Sequence, residues 1–147
     1  YMMPDPVLLA DTRAWLHKAA NDLRGAEIDL AATPPLVEDA LFHCQQAAEK
    51  SFKALLTFHN QPFRRTHSLE EIGEACLVLD DTLRSIVDDA VPLTMYAWAY
   101  RYPGPAPTAT RSDAERALAI ARRVYEAIVS RLPTDAHPQP DAPAQGE

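Results

Sequence analysis

Apolar residues recur at steps of three and four along most of this 147-residue chain, and no stretch alternates apolar with polar residues for long enough to build a sheet. The spacing is clearest in ALFHCQQAAEKSFKALLTFH, Ala40 to His59. There Leu41, Cys44, Ala48, Phe52 and Leu55 fall on one stripe of a helix, and His43, Gln46, Lys50 and Lys53 on another. Such a segment packs through one side and carries a polar ladder on the other. An ordered Gln/Glu/Lys row beside small Ala residues points to a ligand site or a subunit contact.

The same periodicity places the other elements. Leu16, Ala19, Leu23, Ala26 and Leu30 predict a first helix over Asp11 to Ala32, with Trp15 beside the stripe. Thr33-Pro34-Pro35 stops it and opens the second, central helix, about Pro35 to His59, because Thr caps and Pro is tolerated in a first turn. Ser68 with Glu71 makes a capping box for a short third helix to about Leu79. Asp80 to Tyr100 reads as a helix kinked or broken near Pro92, which removes a backbone donor and crowds the preceding turn. Ser112 with Glu115 predicts the cap of a last helix ending near Leu132, with Ala114, Ala117, Leu118, Ala121, Val124, Tyr125 and Ile128 facing the core. The expectation is an all-α, up-and-down bundle of four long helices plus one short helix over residues 11–132. Residues 1–10 are a lead, and the Pro/Ala-rich residues 133–147 lack the apolar content to offset their ordering entropy and are expected as a disordered tail.

A net charge of −7 argues against general attraction to nucleic acid, so any RNA contact must use a local patch. No apolar run approaches the roughly 18–20 residues of a membrane span, and Cys44 and Cys76 lie inside helical patterns with no export signal ahead of them. A cytoplasmic protein with reduced thiols and no membrane contact is expected. The cysteines are isolated, and His17, His43 and His59 share no tight ligand spacing, so no metal site is expected. With four glycines there is no phosphate-cradling loop or dinucleotide fingerprint, and no cofactor is expected.

Lys50, Lys53, Arg64, Arg65 and Arg101 are the candidates for a basic, ligand-binding patch, with Tyr96, Tyr100 and Tyr102 near in sequence to stack on a base. The alternative is that these cations bridge to Glu49, Glu70 or Glu71. Gln46 is a candidate reader of base edges, whereas Gln45 suits a structural or dimer contact. His67 precedes a helix start, where free N–H groups favour an anion, although such a residue more often fixes its loop. With Arg101 and His43 it completes the candidates for catalysis.

Gln45-Gln46-Ala47-Ala48-Glu49-Lys50 continuing to Lys53-Ala54-Leu55-Leu56, then Thr66-His67-Ser68-Leu69, then Tyr100-Arg101-Tyr102-Pro103, resemble the HEPN family over about Asp11 to Leu132. The resemblance implies a helical bundle that often forms homodimers and is commonly encoded beside a minimal nucleotidyltransferase as a toxin and antitoxin pair. It also implies, for many members, a metal-independent ribonuclease built on Arg, four to six residues, then His. Here the sequence departs: the positions that follow Arg101 at that spacing hold Ala106, Pro107 and Thr108, and those that follow Arg64 hold Leu69, Glu70 and Glu71. Arg131 and His137 match the spacing but straddle Pro133 in the expected tail, and are read as coincidence. The expected function is therefore nucleotide or RNA binding as partner of a nucleotidyltransferase, without the usual ribonuclease motif. The alternatives are a metal-independent ribonuclease toxin and a non-catalytic dimeric interaction module.

Overall fold

The computed structural model describes residues 4–105 and 107–139. Among them the chain is all helical, with five α-helices and no strand: α1 (Pro6–Ala31), α2 (Val37–Phe58), α3 (Leu69–Leu79), α4 (Arg84–Ala90) and α5 (Arg111–Ser130). Short 3-10 segments cover Asp81–Leu83, Val91–Ala97 and Thr134–Ala136. Among the described residues no helix is long and apolar enough to cross a membrane.

Helix α2 is the centre of the bundle. It touches α1 along most of its length and also meets α3, α5 and Val91–Ala97. Its expected core stripe is fully enclosed, as are Leu16, Ala19 and Ala26 of α1 and Ala114, Ala121, Val124 and Ile128 of α5. Each large apolar side chain moved from water into this core contributes about 1.5–3 kcal/mol. At Gly73 on α3 a Cβ would come within 2.5 Å of Val87 Cγ1, so glycine there sets how closely α3 approaches α4.

Helix α1 starts five residues before the apolar stripe suggested, which shortens the expected lead. Asp5 accepts a 2.8 Å hydrogen bond from Val7 N, and Pro6 occupies the first turn, where its missing N–H costs nothing. The connection after α1 is tied down by Leu36 N donating to Asp29 O at 2.9 Å, and Thr33 is not the cap of α2.

The expected capping box at Ser68 is half formed. Ser68 Oγ accepts from Glu71 N at 3.2 Å, but Ser68 N donates to Thr66 Oγ1 and the Glu71 carboxylate turns to Arg64. The break near Pro92 is realised as a change of pitch, with α4 ending at Ala90 and the chain tightening into the 3-10 segment that follows. The box that opens α5 is shifted from the expected Ser112 and Glu115. Thr110 and Asp113 close it in both directions, at 3.1 and 3.0 Å, while Glu115 pairs with Arg111 instead. Both quartets satisfy the pattern, and the one with the open position before the helix wins.

Residues 133–139, expected as part of a disordered tail, fold back on the bundle. Ala136 is fully buried, Arg13 Nη1 donates to Asp135 O, and His137 Nε2 lies 2.9 and 3.0 Å from the carbonyls of Val129 and Leu132. One buried alanine and a histidine that caps α5 supply what average composition hid. The rest of the expected tail, residues 140–147, and residues 1–3 of the lead lie outside the described residues.

Candidate functional site

The polar ladder of α2 faces inward, along the seam with α1. His43 and Lys50, seven residues apart, both reach Asp22 of α1: His43 Nδ1 lies 2.9 Å from Asp22 Oδ1 and Lys50 Nζ 2.6 Å from Asp22 Oδ2. A carboxylate only accepts, so Nδ1 carries the proton and Nε2 points the other way. There it faces Asp39 Oδ2 at 3.5 Å and Asp29 Oδ2 at 3.9 Å. Asp29 is 8% exposed, and its Oδ2 is buried without a hydrogen-bond partner. Burial, reinforced by the neighbouring Asp39 carboxyl and opposed by His43, raises the Asp29 pKa to about 6. Gly25 sits one turn above Asp22, and a Cβ there would meet the His43 ring at 3.1 Å. The absence of a side chain lets the imidazole lie flat against α1.

Next to Lys50 on α2, Glu49 is a second acceptor hub. Its Oε1 receives Gln45 Nε2 at 3.2 Å and His67 Nδ1 at 2.8 Å, and its Oε2 receives Lys53 Nζ at 3.0 Å. Gln45 also donates to His67 O and accepts from Gln46 Nε2 at 2.6 Å. Glu49 and Lys53 are 3% and 6% exposed, and the ammonium lies 5.5 and 5.6 Å from the ring centres of Trp15 and Phe63. A pair this dry holds only because each charge is met by the other and by further donors or ring faces. His67 therefore acts as the residue that pins its loop to α2.

A cavity of about 310 Å³ opens beside the first cluster, lined by Glu38, Asp39, Phe42, Tyr96, Tyr100 and Arg101. The Arg101 guanidinium lies 4.1 Å from the centre of the Phe42 ring, and Tyr96 and Tyr100 stack at 6.2 Å with their planes 20° apart. Among the described residues Arg101 makes no ion pair. A second cleft, about 380 Å³, is lined by Asp11, Ala14, Trp15, Lys18 and Thr57, with Lys18 its one cation among the described residues.

The basic candidates thus divide. Arg101 joins Tyr96 and Tyr100 at the cavity, Lys50 joins His43 on Asp22, Lys53 joins His67 on Glu49, and Arg64 pairs with Glu71 at 2.6 Å. Arg65 and Tyr102 are exposed, and Gln46 is half-buried over Gln45. Arg131 and His137 serve separate structural ends: Arg131 Nε and Nη2 hold Asp80 and Thr82 at 2.7 and 2.9 Å, while His137 binds carbonyls of the α5 terminus. Both side chains are thus held rather than loose, each by partners of its own. The thiols of Cys44 and Cys76 are pushed up to about 12 by burial, which leaves them protonated and inert at neutral pH.

Sequence reasoning missed Asp22, Asp29 and Asp39 as partners and Phe42 as the platform under Arg101, whereas the alternative in which the cations bridge to Glu49 and Glu71 is realised for Lys53 and Arg64. A usable signal existed for some of them. Asp39 and His43 are one turn apart, and Asp22 and Asp29 are two turns apart on α1, a face that carries no other reason to repeat acid.

Comparison with known proteins agrees with this helical fold. The HEPN domain model matches residues 12–132. Among solved structures, the chain resembles TT1696 from Thermus thermophilus at 30% identity and a TM-score of 0.68, over 82% of this chain and 98% of that one. It also resembles ST0689, an archaeal HEPN homologue, at 25% identity and a TM-score of 0.66, over 82% of this chain and 96% of that one. No curated protein matches. With the family model spanning most of its length and the helical architecture shared with these structures, the chain belongs to the HEPN domain family.

Proposed function

We propose that this HEPN protein binds a nucleotide or an RNA end at the cavity between α2 and Tyr96–Arg101, as a cytoplasmic homodimer partnering a minimal nucleotidyltransferase of the toxin-antitoxin type. The observation that carries the reading is Arg101: its guanidinium is spread over Phe42 at the cavity wall, free of any carboxylate pair among the described residues, beside two stacked tyrosines. A planar, always-charged fork next to aromatic faces suits a phosphate joined to a base. Arg65 and Tyr102, both exposed, are available to extend the contact along an RNA strand. Lys50, Lys53 and Arg64, each engaged by a carboxylate, shape the helices that carry the site, and Gln46 is placed with them.

The reading is of binding rather than cleavage. Among the described residues no histidine lines the cavity that holds Arg101, and His43 and His67 turn their Nδ1 atoms to Asp22 and Glu49, which supports binding over cleavage at Arg101.

The test is a thermal-shift titration of the purified chain with AMP, ATP, a short single-stranded RNA and a minimal nucleotidyltransferase as the proposed partner. A rise in the unfolding midpoint with a nucleotide or RNA, and a separate rise with the partner, is expected. A midpoint unmoved by all four rejects the proposal.

A further inference from the structure

We propose that Asp29, Asp39 and His43 form a binding site for one divalent transition-metal ion of the zinc type, with Asp22 as the residue that orients the imidazole. The inference is independent of nucleotide or RNA binding and rests on the α1–α2 seam alone.

Three observations carry it. The first is distance. One donor atom from each of His43, Asp39 and Asp29 lies within 4.8 Å of the others, and His43 Nε2 is 3.5 Å from Asp39 Oδ2 and 3.9 Å from Asp29 Oδ2. Those separations are too long for N–H···O hydrogen bonds. They are close to the spacing of two ligands on a shared ion, since metal–nitrogen and metal–oxygen bonds of about 2.0–2.2 Å at a tetrahedral angle hold donor atoms about 3.4 Å apart. The second is an unmet need: Asp29 is 8% exposed, and its Oδ2 is buried with no donor in hydrogen-bond reach, 3.9 Å from Nε2. Leaving such an atom unpaired costs free energy that a cation removes.

The third is the arrangement behind the ligands. Asp22 accepts the Nδ1 proton of His43 at 2.9 Å, which orients the ring so that Nε2 is the nitrogen left to meet an ion. This carboxylate–histidine arrangement is the one that holds imidazole for metal binding in general. Asp22 is itself neutralised by Lys50 at 2.6 Å, so Asp29 and Asp39 are left with two negative charges, matching a divalent ion. Two carboxylates and one imidazole suit the borderline cations better than magnesium, which prefers oxygen alone and retains its waters. Three protein ligands leave a fourth position open. Because Asp39 also lines the Arg101 cavity, a bound ion would cancel negative charge on that cavity's acidic wall.

The test uses the full chain, treated with a chelator and then titrated with zinc by calorimetry, with magnesium as the contrasting probe. The expected result is one zinc per chain and no comparable magnesium binding. Affinity should fall tenfold or more in Asp39→Asn and His43→Gln, and also in Asp22→Asn, which holds His43 without itself supplying a ligand atom. Gly25→Ala, whose new methyl would push the His43 ring, should weaken zinc as well, while His17→Ala and His59→Ala leave it unchanged. Asp39 is half exposed, so its variant is expected to fold, and circular dichroism checks this for each. Nitrogen NMR of the imidazole adds a direct reading, with Nε2 of His43 shifting on zinc addition. Absence of zinc binding, or binding of equal strength in folded Asp39→Asn and His43→Gln, overturns the proposal.

Discussion

Lys53 and Glu49, one turn apart on α2, form an ion pair inside the bundle, at 3.0 Å and with both side chains more than nine-tenths buried. A lysine that reads on paper as part of an outward cationic patch is thus a structural strut, roofed by Trp15 and Phe63. The pair organises the loop before α3, because the same glutamate also receives His67.

Removing only one charge of this pair leaves the other buried without its partner. Lys53→Met is therefore expected to destabilise the protein by about 3–5 kcal/mol, and Lys53→Met with Glu49→Gln by clearly less than the two single changes added together. Urea unfolding of the three variants measures both. A Lys53→Met protein within about 1 kcal/mol of the parent contradicts the assignment.

Asp29 gives the fold a pH dependence of its own. Its folded pKa, about 6, lies above the ordinary value of 3.8 because burial beside Asp39 disfavours the charge. The folded state thus holds the proton more tightly than the unfolded chain. That contribution is fully present below about pH 4 and is lost as the pH rises through about 6. In chelator-treated protein, Asp29→Asn should remove this loss and raise stability at neutral pH by an amount on the order of 2 kcal/mol. Denaturation series at acid and neutral pH measure it; a variant that is no more stable than the parent at pH 7 sinks the prediction.

Much of the bundle is legible in the sequence, and the reason is local. The stripes of α1, α2 and α5 are set by period alone, and Leu16, Phe52 and Ile128 are enclosed where that period puts them. What composition and spacing do not fix is choice among near-equivalent local signals. Ser112 and Thr110 both begin a quartet that fits a capping box, and the hydrogen bonds of Asp113 decide between them. The site is harder still. A polar stripe looks the same whether it meets water or the acids of a neighbouring helix. Only the packing of α1 on α2 sets Asp22 between His43 and Lys50. Arg101 is visible as a candidate, whereas its platform Phe42 comes from an element 59 positions earlier in the chain.

Arg131 makes the opposite case, a residue that fits a catalytic spacing and does structural work. Hydrogen bonds from Thr82 and Arg131 hold the Asp80 carboxyl below its ordinary range. The stability it contributes is present above pH 3.8 and is lost as the pH falls through the lower folded value. Arg131→Ala should raise the Asp80 pKa, read by a carbon NMR titration, and lower stability by about 1 kcal/mol. Binding of nucleotide or RNA should be unaltered. Loss of that binding in a folded Arg131→Ala protein contradicts the structural role.

The central claim is that Arg101 and its aromatic platform hold an anionic ligand, and fluorescence anisotropy of a labelled short RNA tests it most directly. The parent chain should bind, and Arg101→Ala should weaken binding by about tenfold to a hundredfold, as expected for losing one charged contact to phosphate. Arg64→Ala, whose side chain is exposed and paired to Glu71, should bind as the parent does. Equal affinity in the parent and in a correctly folded Arg101→Ala protein would contradict the account.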